Sequence, residues 1–529
     1  MNIVYNLVGA LTIKPYSFKA RSWELNYINS IDFFDSVGSN LKLEIRGKKL
    51  LRVLSRQNDH LNENWITDKS RFAFDSLVNQ RLSTFYVRNF NKESIFTAKN
   101  WLNISYLINI EFIFGLFLKK YGKWHINFIG ILDEYMSSDQ SIFFKDWINI
   151  WGSSNLITNL HNNNNWDITF RSNYLFKNNI NSILTTDLCV LVNINPRIEN
   201  PIINLKLRKL YLKNKLTIVS FGRIYNPNYT VKNLGNSTKS FILFIEGRHK
   251  FSRKFFQYNK PIFLLGNSIV YRKDNKTLFY LISKLNKIIN LNFIIIYNKL
   301  SHISAYDQGI IPGTHSLNNY YVHTKNTFAY NIIYNLNNLN LNLKNKEFIS
   351  IINYLDWVNT DINIYNGSFG GNNLKNYNYL IPLSVLLESN GVFTNINGSK
   401  SYIPTILPQY KNSKDFYSIF HLCIMLLKNI KYLNPLTNNL MDPVVFETKT
   451  TRLNKLYFNQ LAINPNIIAS YNYLKSSPFI SLLKYGQIYR NLFSVYQDTY
   501  YINDLYTSYS NLMLKMKKTY LRISNRNYN

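Results

Sequence analysis

Cysteine is nearly absent from this 529-residue chain, which has only Cys189 and Cys423. Two thiols cannot supply the several Cys/His ligands that an iron–sulfur cluster or a structural zinc takes, nor can they build a disulfide framework. Glycine and proline are scarce too, at 19 and 13 against 40 tyrosines and 35 phenylalanines. Few glycines leave few places where backbone can close on a phosphate, so a dinucleotide loop is poorly provided. The single glycine-dense stretch, Gly367-Ser368-Phe369-Gly370-Gly371, reads as a plain turn. Long apolar runs are also missing. The nearest, Ile108 to Leu132, is broken by Glu111, Lys119, Lys120, Lys123 and His125, short of the ~20 residues that cross a bilayer. The chain is therefore expected to be soluble or peripheral. Its start, MNIVYNLVGALTIKPYSF, has neither the Arg/Ser-rich character of a presequence nor that of a secretory signal. Eight scattered histidines show no metal-ligand spacing.

Acidic residues are few, 29 against 61 Lys and Arg, a formal charge of +32. Such a balance raises a nucleic-acid partner, and an organellar RNA-binding or ribosomal protein is the competing reading. Composition offers a blander cause. Phe, Tyr, Ile, Asn and Lys are the residues of A/T-rich codons, which points to drift in an organellar genome and to lysines on solvated faces. The basic runs, around Lys119–Lys123 and Lys515–Lys518, are short.

What is present is an alternation of strand and helix signals. Leu41, Leu43 and Ile45 alternate with Lys42, Glu44 and Arg46, the period of a half-buried strand. Gly47-Lys48 then turns the chain into Leu50–Leu54, a hairpin. Leu188–Val192, Leu216–Ser220, Ile262–Leu265 and Leu291–Tyr297 are apolar runs expected of parallel strands covered on both faces. Loop formers such as Asn195-Pro196-Arg197 and Gly266-Asn267-Ser268 follow them. The arrangement is that of a doubly wound α/β protein, with Cys189 a small core residue. The Asn-rich tracts at His161–Asn165 and Asn326–Lys346 are expected as loops or weakly specified helix.

One block stands out, Leu51 to Leu82: LRVLSRQNDHLNENWITDKSRFAFDSLVNQRL. Within it Phe72–Asp75 is expected to open a helix with an apolar stripe at Phe74, Val78 and Leu82. Arg56, Asn58, Asn62-Glu63, Trp65, Asp68-Lys69, Arg71, Asp75 and Gln80-Arg81-Leu82 resemble, in place, the iron–sulfur 75 kDa subunit family of respiratory NADH:ubiquinone oxidoreductase (complex I). Val8–Thr12, Lys14–Phe18 and Ala20–Glu24 continue the likeness, as do Arg171–Tyr174, Asn195–Arg197 with Glu199–Pro201, and Lys260-Pro261 with Leu265-Gly266. Glu388–Asn395 with Asn397-Gly398 resembles the wider molybdopterin oxidoreductase signature, and Val495–Ser508 loosely resembles the family's tail.

The resemblance implies a degenerate molybdopterin oxidoreductase (formate dehydrogenase-like) fold. Its segments are expected at 1–25 (the tail of an iron–sulfur half), 26–85 (a small β module), 86–325 (a doubly wound domain), 326–430 (a second α/β part) and 431–529 (a mostly helical extension). Where the family has the last cysteine of a four-cysteine site this chain has Asn6, and Asp35–Asn40 and Trp65–Arg71 also lack cysteine. No catalytic, cofactor-binding or metal residue is therefore expected, and no molybdopterin. The implied role is a structural subunit in the matrix arm of complex I, peripheral on the matrix side of the mitochondrial inner membrane. Iron–sulfur clusters are expected on a separate N-terminal chain, a split subunit encoded in the organelle. On this view Asp68, Lys69 and Arg71 form ion pairs or hydrogen bonds beneath that neighbour. An active molybdopterin oxidoreductase is the weaker alternative.

Overall fold

The computed structural model describes residues 15–88, 96–99, 125–132, 135–150, 156–157, 171–176, 178–222, 227–270, 272, 274–288, 292–297, 299–310, 329–336, 362–370, 374, 377–409 and 505–526. Asn6, Val8–Thr12, Cys423, the His161–Asn165 tract and most of the Ile108–Leu132 run lie outside them.

The expected hairpin belongs to a three-stranded antiparallel sheet of β1 (Asn26–Ile31), β2 (Asn40–Arg46) and β3 (Lys49–Ser55), in that order. Gly47 sits at φ +60° in the β2–β3 turn, where a side chain is strained. Leu41, Leu43 and Ile45 are buried as their alternation predicts, but so is Glu44. Its carboxylate can be buried because Arg52 binds it and Lys42 lies 3.6 Å away.

Four strands follow, β4 (Phe85–Arg88), β5 (Phe96–Lys99), β6 (His125–Ile131) and β7 (Leu156–Ile157), and they join a sheet completed much later in the chain. Before it is complete, the chain builds β8 (Leu188–Val192), β9 (Thr217–Phe221), β10 (Lys232–Gly235), β11 (Pro261–Gly266) and β12 (Asn292–Ile296). All pair in parallel, in the order β10-β9-β8-β11-β12. Counted from β8 this is the doubly wound order 3-2-1-4-5. Helices Pro201–Leu212, Thr238–Ile245 and Asn275–Ile288 are interleaved with these strands. Every residue of β8 and β11 is buried, and the run of Val, Ile, Leu and Phe forms one core with the helices.

The chain then returns with β13 (Ala329–Leu336), β14 (Ile362–Gly367) and β15 (Tyr379–Pro382). The finished sheet has the order β5-β4-β15-β14-β13-β6-β7, parallel except where β4 meets β15 and β5. Here the sequence reading is corrected. Within the Asn-rich tract expected to be loop or weak helix, β13 is an inner strand between β14 and β6. The β-forming residues Tyr330, Ile332, Ile333 and Tyr334 outweigh the asparagines around them. Strands from both sides of residue 325 share this sheet. A last hairpin joins β16 (Gly391–Thr394) and β17 (Lys400–Ile403).

The Leu51–Leu82 block ties these parts together. Thr67 caps the short helix Asp68–Phe72 through Ser70 N–H at 3.2 Å, and a 3-10 turn, Ala73–Leu77, continues it. The expected helical stripe does not form: Leu82 is buried, whereas Val78 is 69% exposed. The 3-10 turn ends at Leu77, so Val78 and Leu82 lie beyond it and share no helical face with Phe74. Asp75 instead accepts from Ser510 Oγ and from Leu512 N–H at 3.0 Å, starting the C-terminal helix Asn511–Arg526. Arg81 forms a two-pronged ion pair with Glu388 at 3.0 and 2.8 Å, both side chains buried. Residues 80–82 also exchange backbone hydrogen bonds with Ser368 and Gly370 (2.9 and 2.8 Å), so the described part of the glycine-dense stretch, 367–370, pairs with this block.

Candidate functional site

Where the small sheet meets the five-stranded sheet, two carboxylates are buried. The loop after β1, Asp32-Phe33-Phe34-Asp35-Ser36-Val37-Gly38-Ser39, closes on itself through Asp32 N–H to Ser39 O at 2.8 Å. Aspartates favour such turns because their oxygens take nearby backbone N–H groups. Asp32 accepts from Phe34 N–H at 2.9 Å and Asp35 from Val37 N–H at 3.0 Å. Gly38, at φ +69°, brings the loop against Asn395 and Leu300. The remaining lone pairs take side-chain donors from the loop itself and from its neighbours. Ser70 Oγ donates to Asp32, Ser39 Oγ to Asp35 at 3.0 Å, and Asn200 Nδ2 to Asp35 at 2.7 Å. The same Asn200 caps helix Pro201–Leu212 through Ile203 N–H at 3.1 Å. One amide thus joins the small module to the first crossover helix of the doubly wound sheet.

Burial dominates the electrostatics of this pair. It pushes Asp32 up to about 7, with the neighbouring charge of Asp35 adding to the rise and Ser70, Phe34 N–H and Lys69 opposing it. Asp35 is raised by the same burial. Glu199, four residues from the Asn195 N–H it accepts, is pushed by burial up to about 7. Beside Asp32 lies a cavity of about 50 Å³, walled mainly by apolar side chains such as Leu43, Val53, Phe74 and Leu387.

The donor set does not fit an iron–sulfur cluster. Asp35–Asn40 and Trp65–Arg71 do approach each other, joined by Asn62, whose amide bonds Asn40 N–H (3.2 Å) and the carbonyls of Arg56 (3.3 Å) and Trp65 (3.0 Å). What they bring together is carboxylate, hydroxyl and amide, each already hydrogen-bonded, where a cluster takes thiolates. Among the described residues no three His, Cys, Asp or Glu side chains gather in a way that could hold a metal. Of the charged triad singled out in the sequence, Lys69 is buried near Asp32, Asp68 is exposed, and Arg71 has its Nη1 buried without a hydrogen-bond partner.

A second place to test is the switch point of the doubly wound sheet, between the C-ends of β8 and β11, where such folds commonly bind nucleotides. Here the two ends are joined directly. Asn193, at φ +49°, donates from Nδ2 to Ser268 Oγ at 2.7 Å, and Ser268 Oγ donates to Asn193 O at 3.3 Å. Gly266 runs so close that a Cβ on it would lie 2.2 Å from Asn193 O. Cys189, the one described thiol, sits inside β8 with its pKa raised by burial, in the core and not at the strand end. These residues do not fit a pterin nucleotide or a thiolate-ligated molybdenum.

Several motif residues come together in contacts that local sequence does not predict. Arg171 grips Asp307 at 2.8 and 2.7 Å, with Tyr174 Oη on the same carboxylate at 2.7 Å. Asp32 and Asp35 themselves were missed as a site; their one signal was the Asp-Phe-Phe-Asp spacing in a Ser/Gly turn.

Comparison with known proteins places these features. The family model described as molybdopterin oxidoreductase matches residues 95–422, and that described as NADH-ubiquinone oxidoreductase NDSU1/NuoG-like, 4Fe-4S domain, matches residues 25–75. The NADH-ubiquinone oxidoreductase 75 kDa subunit of Acanthamoeba castellanii is 31% identical over 520 residues, 96% of this chain and 68% of that protein. The subunit of the same name from Reclinomonas americana is 32% identical over 57% of this chain and 45% of its own length. The mitochondrial 78 kDa subunit of Candida albicans is 30% identical over 74% of this chain and 51% of its own length. The chain thus spans about half to two thirds of these relatives. Among solved structures, acetylene hydratase from Pelobacter acetylenicus superposes with a TM-score of 0.48 at 10% identity, over 75% of this chain and 68% of that one.

Proposed function

From the chain's membership in the molybdopterin oxidoreductase family and, within it, among the 75 kDa subunits of NADH-ubiquinone oxidoreductase, we propose that it is a structural, non-catalytic subunit of the matrix arm of complex I. The observation that carries this reading is the filled seam. In the module that matches a 4Fe-4S domain, Asp32 is bonded by Ser70 and Asp35 by Ser39 and by Asn200 from the adjoining helix, with no thiolate among them. Electron transfer by the assembly then runs through clusters held by cysteines other than the two in these 529 residues, since Cys189 is buried inside β8 and one remaining thiol completes no cluster. We assign those clusters to a separate chain, and the subunit to the matrix face of the mitochondrial inner membrane. In support, no helix among the described residues is long and apolar enough to cross a membrane.

Native electrophoresis of detergent-solubilised mitochondrial membranes tests the reading. The chain should migrate with the high-mass band that oxidises NADH, and a cluster-bearing partner of distinct mass should accompany it. Metal analysis of the isolated chain should give neither iron nor molybdenum in stoichiometric amount. Absence from the NADH-oxidising band, or bound molybdenum, would overturn it. A division of the sequence near 25, 85, 325 and 430 belongs to the same proposal, with the seven-stranded sheet spanning the third boundary; limited proteolysis would map it.

A further inference from the structure

Of the segments that the sequence singles out near the start of the chain, residues 15–18 and 20–24 are not absorbed by the seam or the core. In the structure these residues lie, with β1 and the β2–β3 turn, at an exposed face of aromatic rings and cations. Phe18 is 103% exposed, Trp23 79% and Tyr27 63%. Monomeric surfaces carry single exposed apolar residues without consequence, but a contiguous group marks an interaction site. Phe18 also holds a left-handed φ of +60°, uncommon for a bulky residue, with its ring fully exposed.

Side-chain contacts hold these segments together. Arg46 reaches back to Lys19 O at 3.0 Å and to Glu24 at 3.4 Å, which fixes residues 16–24 to the end of β2. The Arg21 guanidinium stands 5.9 Å from the Trp23 ring and the Lys42 ammonium 4.2 Å from the Tyr27 ring. Two of the rings thus carry a cation, and Lys19, Arg46, Lys48 and Lys49 are exposed in the adjoining segments. Of the four carboxylates between residues 15 and 52, Asp32, Asp35 and Glu44 are buried, and Glu24 alone is exposed. β1 is moreover an edge of its sheet, paired among the described residues with β2 only, and its Asn26, Tyr27 and Asn29 are exposed.

We propose that this face is a docking surface for an acidic protein segment of another subunit in the same assembly. The inference rests on the proposed place of the chain in complex I and names the chemistry of the partner met there. Carboxylates of that segment meet the six cations, its apolar side chains cover Phe18, Trp23 and Tyr27, and aromatic anchors ringed by charge are the usual energetic centre of such contacts.

The test compares the unaltered chain with Trp23→Glu/Tyr27→Glu, with Lys48→Glu/Lys49→Glu, and with Phe256→Glu, a control at an exposed aromatic outside the face. Each is expressed in cells lacking the native chain, and the fraction in the NADH-oxidising complex is measured on native gels. Thermal unfolding of each isolated chain checks that the fold is kept. Both face variants are expected to lose incorporation by about tenfold or more, the size of a lost anchor, with unfolding temperatures unchanged and the control incorporated normally. A zero-length carbodiimide, which joins amines to carboxylates, is expected to link Lys19, Lys48 or Lys49 to an Asp or Glu of another subunit. If the unaltered chain is absent from the complex, the functional reading fails. If it is present and folded face variants incorporate equally well, the docking surface is wrong and the functional reading stands. Links confined to this chain, to a second copy of it, or contacts removed by nuclease would also overturn the surface.

Discussion

The small module and the five-stranded sheet reach a closed interior in different ways. The sheet closes by hydrophobic packing: β8 and β11 are buried along their whole length, and Phe221, Phe241, Phe244 and Phe255 pack edge to face or tilted at ring distances of 5.1–5.3 Å. The module has apolar residues such as Leu41, Leu43, Ile45 and Val53 in its core too, but it also buries polar groups, two aspartates and the hydroxyls and amides that satisfy them. An apolar interior tolerates local loss because its energy is spread over many contacts. A polar one depends on complete pairing, since each group left alone pays its full desolvation cost. Retention of a cofactor fold without its cofactor therefore has two physical forms in one chain.

The largest expected effect breaks this contrast at the ion pair that anchors the module to the rest. Arg81→Ala leaves the buried Glu388 without its partner and should destabilise by about 3–5 kcal/mol, read as a fall in the denaturation midpoint at neutral pH. Replacing both residues by Met should be far milder than either single change, because no charge is left stranded. If the pair were no worse removed singly than together, the module would not be pairing-limited. In the sheet, Phe263→Ala should cost a similar 3–5 kcal/mol by opening a cavity, but here the milder Phe263→Leu should recover most of it, which no conservative swap at Arg81 should do.

A middle-sized effect is in pH. A carboxyl raised in the folded state binds its proton more tightly there than in the unfolded chain, so its contribution is fully present below the ordinary value of 3.8 and is lost as pH rises through about 7. Asp32 and Glu199 both titrate in this window, Asp35 is raised in the same direction by burial, and the fold should weaken from pH about 4 to about 7. Asp32→Asn should flatten the profile, with each unit of displacement worth roughly 1.4 kcal/mol. An unchanged slope in equilibrium denaturation across that range would show that the aspartate is not dry.

The same contrast governs what could be read in advance. The sheet was legible because a strand buried on both faces writes itself as a continuous apolar run: Leu188–Val192 is β8 as it stands, and three further runs fall within a residue or so of β9, β11 and β12. In the module the alternation of Leu41, Leu43 and Ile45 showed the β2–β3 hairpin, whereas its anchors to the rest were legible only as motifs. That Arg81 meets Glu388 across 307 residues, or that Asp75 caps a helix 435 residues away, leaves no local trace. The strand β13 was hidden for another reason, since asparagine weakens the pattern that Tyr330, Ile332 and Tyr334 still satisfy through pairing with two neighbours.

The smallest effect asks whether the module's polar order is local or shared. Thr67 accepts from Ser70 N–H, and its hydroxyl is 2.6 Å from that of Ser70, which in turn donates to Asp32. Treated as an isolated N-cap, Thr67→Ala should cost about 1 kcal/mol. Treated as the outer end of a chain of hydrogen bonds to a buried carboxylate, its loss should also change the acid side of the pH profile. Thr67→Ser, which keeps the hydroxyl, should restore both quantities. A double-mutant cycle of Thr67→Ala with Asp32→Asn separates the cases: costs that add within about 0.3–0.5 kcal/mol mean an independent cap, and a larger coupling means that cap and carboxylate hold the seam as one unit.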